Sequence, residues 1–319
     1  MLFQKIKQRY KQNLLESYIK NNDLVSIKQT LKSNFLDSKK IDVQNLMNYL
    51  AFFTSQQKYE DIFLKNLIWI NGFEKEDYQY LSNFINEYFF AQEINFNKSK
   101  EYYLFLEEIA DHYSFNKIDF LEMSANNYVF QFFISENDPN KLKIINTSNV
   151  FFETDQKLYF THYYLTKSFV YVTRNPYSLL KKYKSRNLGD NSVNHLQGLL
   201  IGENSKKYYS KQERLIEENI QSWSVNNHSW SNINVINTFR GLVIKYENLE
   251  SNTFDTLTQV VSHLIQSGIN LKLDYSFIEN YIEKYPFPIH NYENTEISKQ
   301  EKKLLDRDNL KVMQELSYI

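Results

Sequence analysis

The chain of 319 residues contains no cysteine, only six glycines and only four prolines. Without cysteine, neither a disulfide framework nor a thiolate metal site can form, and a reducing compartment is allowed. Glycine is the residue that lets a backbone approach a phosphate closely, so six glycines leave few places for a phosphate-binding loop. The 37 Lys and Arg residues nearly balance the 38 Asp and Glu residues. This balance gives no electrostatic bias towards nucleic acid.

Long apolar runs are also missing. The longest, such as Leu67–Ile70, are far too short to cross a bilayer. The first 18 residues carry charge throughout and lack the apolar core of a signal peptide. The sequence therefore predicts no membrane span and a cytoplasmic location.

What the sequence does contain is a change of pattern near residue 60. Residues 1–60 place apolar side chains at helical spacing without a proline or glycine, which predicts a helical N-terminal extension. We expect this extension to be a helical cap or an interaction module for a protein partner. Residues 61–319 alternate short apolar runs with helix-like stretches, which predicts a second, α/β domain with a central parallel sheet and flanking helices. The predicted strands are Asn66–Ile70, Lys143–Ile145, Ser168–Thr173 and Gly241–Tyr246.

Several helix boundaries can be read from local chemistry. Asn175 is a candidate N-cap, with Pro176 at the first helical position. Gly268 is placed to end a helix. Ser298 and Glu301 have the spacing of a capping box at the start of the last helix.

Parallel sheets hold ligands beyond the carboxyl ends of their strands, near helix N-termini. Three predicted strand ends are therefore candidate sites: 71–78, 146–149 and 174–178. Arg174 is the strongest candidate for an anion contact, because it lies between a strand and a proline-started helix. Four basic residues follow it, and they form either an anion-binding face or a solvated helix face: Lys181, Lys182, Lys184 and Arg186.

The segment SFVYVTRNPYSLLKKYKS at 168–185 resembles a sulfotransferase segment that ends a strand with an R-N-P turn. Four further segments resemble the same family in the same order: 66–85, 221–230, 241–257 and 297–319. The resemblance implies a P-loop-like sulfotransferase fold and the cofactor 3′-phosphoadenosine 5′-phosphosulfate (PAPS). It also implies transfer of a sulfuryl group to a hydroxyl or amine on a small molecule or glycan, without a metal.

The resemblance assigns residues to this cofactor. Arg174 matches the Arg that holds the 3′-phosphate, and Lys182 stands where the family has a Ser that binds the same phosphate. Lys75 matches the Lys that stabilises the bridging oxygen during transfer. Gln79 lies in the same 5′-phosphosulfate loop and is predicted to contact the cofactor.

The sequence departs from the family at several of these positions. The phosphosulfate loop has lost its Ser, Gly and Thr and carries Glu74, Glu76 and Asp77 instead. An acid about 4 Å from a phosphate would repel it by roughly 4 kcal/mol at an effective dielectric of about 20. The general base, a His in the family, is either Ser148 by alignment or His162 nearby.

Two further family features are changed near the C-terminus. The glycine-rich adenosine loop is replaced by 286–292, which has two prolines and no glycine. The helix His of the family is Asn226. Two hypotheses remain open: a PAPS-dependent sulfotransferase, or an eroded member that binds a partner or another phosphorylated ligand. An unrelated nucleotide-binding protein is a third alternative, although neither glycine-rich nucleotide motif is present.

Overall fold

The computed structural model of the chain describes residue 17 and residues 65–101, 141–147, 166–185, 223–289 and 295–319. Two compact units make up the chain, and every element named below belongs to the unit formed by Lys65–Phe105 and Glu136–Ile319. Apart from residue 17, the predicted helical extension over 1–60 lies outside the described residues. The division into 1–60 and 61–319 stays a prediction.

Among the described residues, five strands form one parallel sheet in the order β2-β3-β1-β4-β5. The strands are β1 (Leu67–Gly72), β2 (Phe96–Glu101), β3 (Leu142–Thr147), β4 (Thr166–Thr173) and β5 (Gly241–Lys245). Strand β1 lies in the centre, between β3 and β4. The predicted α/β class with a central parallel sheet is confirmed.

Helices flank this sheet, as predicted. Those in the described ranges are α1 (Lys75–Ala91), α2 (Pro176–Ser185), α3 (Trp223–Ser231), α4 (Ile233–Phe239), α5 (Tyr246–Ser251), α6 (Thr253–Gln266), α7 (Tyr275–Lys284) and α8 (Lys299–Glu315). None of the helices in these ranges combines the length and the apolar character that crossing a bilayer requires.

Both faces of the sheet are buried, and this explains the continuous apolar runs of β1 and β4. Successive side chains of a strand point to opposite faces. Ile68 and Val170 join a core cluster with side chains of α1, α6 and α7. On the other face Trp69 and Phe169 pack against Trp230 of α3, with ring centroids 6.5 and 5.1 Å apart. A strand covered on both sides needs no polar alternation.

The predicted helix boundaries are confirmed by their hydrogen bonds. The Asn175 side-chain oxygen accepts from the backbone N–H of Tyr177 at 2.9 Å, at the start of α2. Ser298 and Glu301 form the reciprocal capping box of α8, with distances of 3.2 and 2.7 Å. Gly268 follows α6 with a φ of +81°, a conformation that favours glycine at a helix end.

Gly241 at the start of β5 supports a testable prediction about packing. A Cβ at this position would fall within the ring of Phe169, which is fully buried and packs against Trp230. Gly241→Ala should therefore lower the free energy of unfolding by about 1–3 kcal/mol. Urea denaturation measures this difference.

The matched control is the same substitution in a Phe169→Leu background, where the smaller side chain makes room for the methyl group. The cost of Gly241→Ala should then shrink. An equal cost in both backgrounds would show that the ring of Phe169 is not its cause.

Candidate functional site

The carboxyl ends of β1 and β4 meet at one edge of the sheet, which we call the carboxyl edge, with Gly72 opposite Val172 in the register. Helix α1 begins at Lys75 just beyond β1, and α2 begins just beyond β4. The topology therefore brings Lys75 and Arg174 to the same edge, where parallel sheets place their ligand sites.

Arg174 is almost completely buried at this edge, with 1% of its side chain exposed. Its guanidinium Nη1 donates to Oδ1 of Asp77 at 3.2 Å, and its Cζ lies 3.9 Å from the centroid of the Tyr246 ring. The indole N–H of Trp223 donates to the Arg174 carbonyl at 2.9 Å. The backbone and the charged group are therefore both held in place.

Lys182 projects from α2 towards the start of α1 and is fully buried. Its Nζ lies 2.5 Å from Oε2 of Glu74 and 2.8 Å from Oε2 of Glu76. Burial by itself lowers the pKa of Lys182, but the charges of Glu74 and Asp77 outweigh it, so the net shift is upwards. Lys182 is therefore a permanent cation with two carboxylate partners.

The first turn of α1 is held by hydrogen bonds between its own residues. The backbone N–H of Glu74 donates to Oδ2 of Asp77 at 3.2 Å, and the N–H of Asp77 donates to the Glu74 carbonyl at 3.0 Å. Acidic side chains at a helix N-terminus are stabilised by the partial positive charge of that end. We call these five residues the carboxyl-edge cluster: Glu74, Glu76, Asp77, Arg174 and Lys182.

Asp77 is fully buried within this cluster. Burial raises the pKa of its carboxyl group, and the nearby charge of Glu74 raises it further, whereas Arg174 and Lys182 lower it. The result is a pKa of about 7. Asp77 therefore changes charge near neutral pH, beside a buried Arg.

The remaining predicted site residues divide into two groups. Lys75 and Gln79 are exposed on the first two turns of α1, next to the carboxyl-edge cluster. Ser148 and His162 lie outside the described residues. The structure thus brings Lys75, Gln79, Arg174 and Lys182 to one edge, and their assignment to a cofactor stays a prediction.

Sequence reasoning missed the contribution of Tyr318, the residue before the last in the chain. Its hydroxyl lies 3.3 Å from Oε2 of Glu247 and 3.4 Å from the hydroxyl of Thr173 at the end of β4. The other carboxylate oxygen of Glu247 accepts from the backbone N–H of Asn175 at 2.9 Å. Burial and the charge of Glu247 raise the pKa of Tyr318. Tyr318 and Thr173 are 145 positions apart, so no local sequence pattern could predict their contact.

Asn226 makes a buried hydrogen bond that joins α3 to β4. Its side-chain oxygen accepts from the buried hydroxyl of Tyr171 at 2.8 Å. The neighbouring Asn227 accepts from the hydroxyl of Thr173 at 2.5 Å. These amides tie α3 to β4 beneath the carboxyl edge.

The carboxyl-edge cluster does not fit PAPS in the arrangement described. A phosphate group brings about −1.5 to −2 charges near neutral pH and needs cations or backbone N–H groups that can turn towards it. Arg174 and Lys182 instead face three carboxyl groups of the same chain.

Phe287, in the described part of the predicted loop 286–292, packs into the core of the chain. The buried ring of Phe287 packs against Tyr80 and Tyr246, with centroids 4.8 and 5.1 Å away. Tyr246 is the ring that Arg174 covers. Phe287 and Arg174 therefore both pack on the ring of Tyr246, which connects the core to the carboxyl-edge cluster.

Within the described ranges, no group of three or more His, Asp or Glu side chains is arranged to hold a metal ion. Comparison with protein-family models and with curated proteins finds no match. Among solved structures, the crystal structure of mouse sulfotransferase SULT7A1 complexed with PAP aligns with 82% of this chain and 91% of that chain. The sequence identity is 13% and the TM-score is 0.47. Similarity at this level transfers no residue roles, so the site is interpreted from its own geometry.

The raised pKa of Asp77 predicts how stability depends on pH. Because this pKa is about 7 in the folded protein and near 4 in an unfolded chain, the folded state binds more protons between these values. The contribution of Asp77 to the free energy of unfolding therefore falls as pH rises through that window. Urea denaturation at about pH 5 and about pH 8 should show this fall in the wild type, and Asp77→Asn should reduce it.

Glu301→Gln is the control for this experiment. Burial acts to raise the pKa of Glu301, but hydrogen bonds from Ser298 and Lys184 bring it below its ordinary value. Its loss should leave the difference between about pH 5 and about pH 8 unchanged. If Asp77→Asn also leaves that difference unchanged, Asp77 does not titrate in this window.

Proposed function

We propose that this chain is a sulfotransferase-like protein that acts by binding a partner or ligand rather than by transferring a sulfuryl group. The observation that carries the proposal is the pairing of Lys182 with Glu74 and Glu76, at 2.5 and 2.8 Å. In this arrangement the chain itself neutralises a cation that the cofactor would need.

A phosphate could bind near Lys182 by two routes, and each of them has an energetic cost. Lys182 is buried and Glu74 is mostly buried, so displacing Glu74 without an equally good counter-charge is unfavourable. The pair with Glu76, which is half exposed, is weaker because solvent screens it. Binding beside an acid instead brings a repulsion of roughly 4 kcal/mol at about 4 Å and an effective dielectric of about 20. That repulsion corresponds to an affinity loss of about a thousandfold.

The surface that remains at the carboxyl edge favours a polar partner. Lys75, Glu76 and Gln79 are exposed on the first turns of α1 and present both signs of charge. Such a mixed surface suits a protein or a polar ligand better than a highly charged nucleotide. The predicted helices of residues 1–60 would supply a further contact for a protein partner. We expect this binding to take place in the cytoplasm.

Sulfuryl transfer from PAPS to a hydroxyl or amine of a small molecule or glycan is the second candidate. One observation favours it: Lys75 is exposed at the start of α1, directly beyond the end of β1. A Lys at this position could neutralise charge that develops on a transferred group. This candidate requires Glu74 and Glu76 to leave Lys182 when the cofactor binds.

Isothermal titration with 3′-phosphoadenosine 5′-phosphate tests the two candidates. The wild type should show no binding at about 1 mM nucleotide, because its cations are already paired. Glu74→Gln combined with Glu76→Gln should increase the affinity for the nucleotide about a hundredfold or more, which brings the Kd into a measurable range. Thermal melting of each variant checks that it is folded.

The matched control is Glu279→Gln combined with Glu283→Gln. It removes the same number of charges from exposed positions of α7 and should leave binding undetectable. Micromolar binding by the wild type that disappears in Arg174→Ala would contradict the proposal and favour the enzyme. In that case Lys75→Ala should strongly lower sulfuryl transfer.

A further inference from the structure

A second pair of cations lies at the opposite edge of the sheet, which we call the amino edge because strands begin there. Lys167 is near the start of β4, and Arg240 directly precedes β5. Nη1 of Arg240 and Cε of Lys167 lie 3.9 and 4.0 Å from the position that a Cβ of Gly268 would take. The two side chains therefore converge on the exposed glycine that follows α6.

The backbone of Arg240 adopts a conformation that residues with a side chain rarely adopt. Its φ of 48° and ψ of 61° are left-handed, at the C-cap of α4. For a residue other than glycine this conformation costs roughly 1–2 kcal/mol. Strain of this kind persists where the surrounding structure determines it, and it is frequent at functional sites.

A buried polar network fixes this conformation. The hydroxyl of Ser168 donates to the Arg240 carbonyl at 2.8 Å and lies 3.0 Å from Nε2 of His263. The hydroxyl of Ser267 donates to that of Ser168 at 3.1 Å. Ser168 and Ser267 are buried. The buried network therefore fixes the backbone of Arg240, although Arg240 itself is an exposed residue.

Among the described residues, Lys167 and Arg240 lack the carboxylate partners that the cations of the carboxyl-edge cluster have. In the part of the chain that the structure describes, the ion pairs involve neither Lys167 nor Arg240. Burial lowers the pKa of Lys167, and the charge of Arg240 lowers it further. Two neighbouring cations without a carboxylate repel each other, and an anion between them would remove that repulsion.

We infer that Lys167 and Arg240 form a binding site for a small tetrahedral oxyanion, phosphate or sulfate, beside Gly268 at the amino edge. The guanidinium supplies a planar pair of donors, and the ammonium supplies a second cation. Gly268, which has no side chain, leaves the space between them open. This inference does not depend on the proposed function, because no residue of the carboxyl-edge cluster takes part.

Titration with inorganic phosphate and, separately, with inorganic sulfate at constant ionic strength tests the site. Binding is followed by ¹H–¹⁵N NMR of the full chain, with the Gly268 amide as the local reporter. Both oxyanions should shift this amide in a saturable way, and acetate, which has one charge, should do so at least about tenfold more weakly. The anion with the larger saturable shift identifies the preferred ligand.

Arg240→Gly is the decisive variant, because glycine adopts the left-handed conformation without strain and only the guanidinium is lost. It should weaken phosphate binding at least about tenfold without lowering the melting temperature. Lys167→Met should weaken binding to a similar degree. The control Lys311→Met removes a charge that is 83% exposed on α8 and should leave binding unchanged.

The proposal is overturned if phosphate and sulfate cause no saturable shift in the wild type. It is also overturned if Arg240→Gly and Lys167→Met bind phosphate as the wild type does. Should Arg240→Gly lose stability, Arg240→Asn replaces it, since Asn also tolerates this conformation. Arg174→Ala should leave phosphate binding unchanged, which separates this site from the carboxyl-edge cluster.

Discussion

A buried charge must have a partner, and this constraint organises the carboxyl edge of the protein. Lys182 and Arg174 are 0% and 1% exposed, so leaving either without a counter-charge would cost several kcal/mol. The first turn of α1 supplies the counter-charges from Glu74, Glu76 and Asp77. Helix α1 is thereby tied to α2 and to the end of β4, in addition to its apolar contacts with the sheet.

The fold was largely predictable because its signals are local. Four of the five strands described here are short apolar runs, and the starts of α2 and α8 follow from capping side chains next to them in sequence. Strand β2 was missed because its sequence, Phe-Asn-Lys-Ser-Lys-Glu, is mostly polar. It is a strand because it pairs with β3 at the side of the sheet, and that pairing is not visible in its own residues.

The candidate site was predictable in place but not in its electrostatics. The rule that parallel sheets hold ligands beyond their carboxyl ends brought Lys75 and Arg174 to one edge. The sequence alone presented Glu74 and Glu76 as charges that repel a phosphate. Their contact with Lys182 joins residues more than 100 positions apart, so no local pattern could indicate it. In the structure, Glu74 and Glu76 are the counter-charges of Lys182.

The central position of β1 has a consequence for synthesis of the chain on the ribosome. Its neighbours in the sheet are β3 and β4, and Leu67 pairs with Thr166, about one hundred residues later. At about 5–20 residues per second, β1 waits roughly 5–20 seconds for this partner to be made. Its other neighbour, β3, is made earlier, since Leu67 pairs there with Lys143. Until β3 is made, the Leu-Ile-Trp-Ile segment, which is buried on both faces in the finished sheet, has neither neighbour. The nascent chain therefore exposes an apolar segment of the kind that chaperones bind.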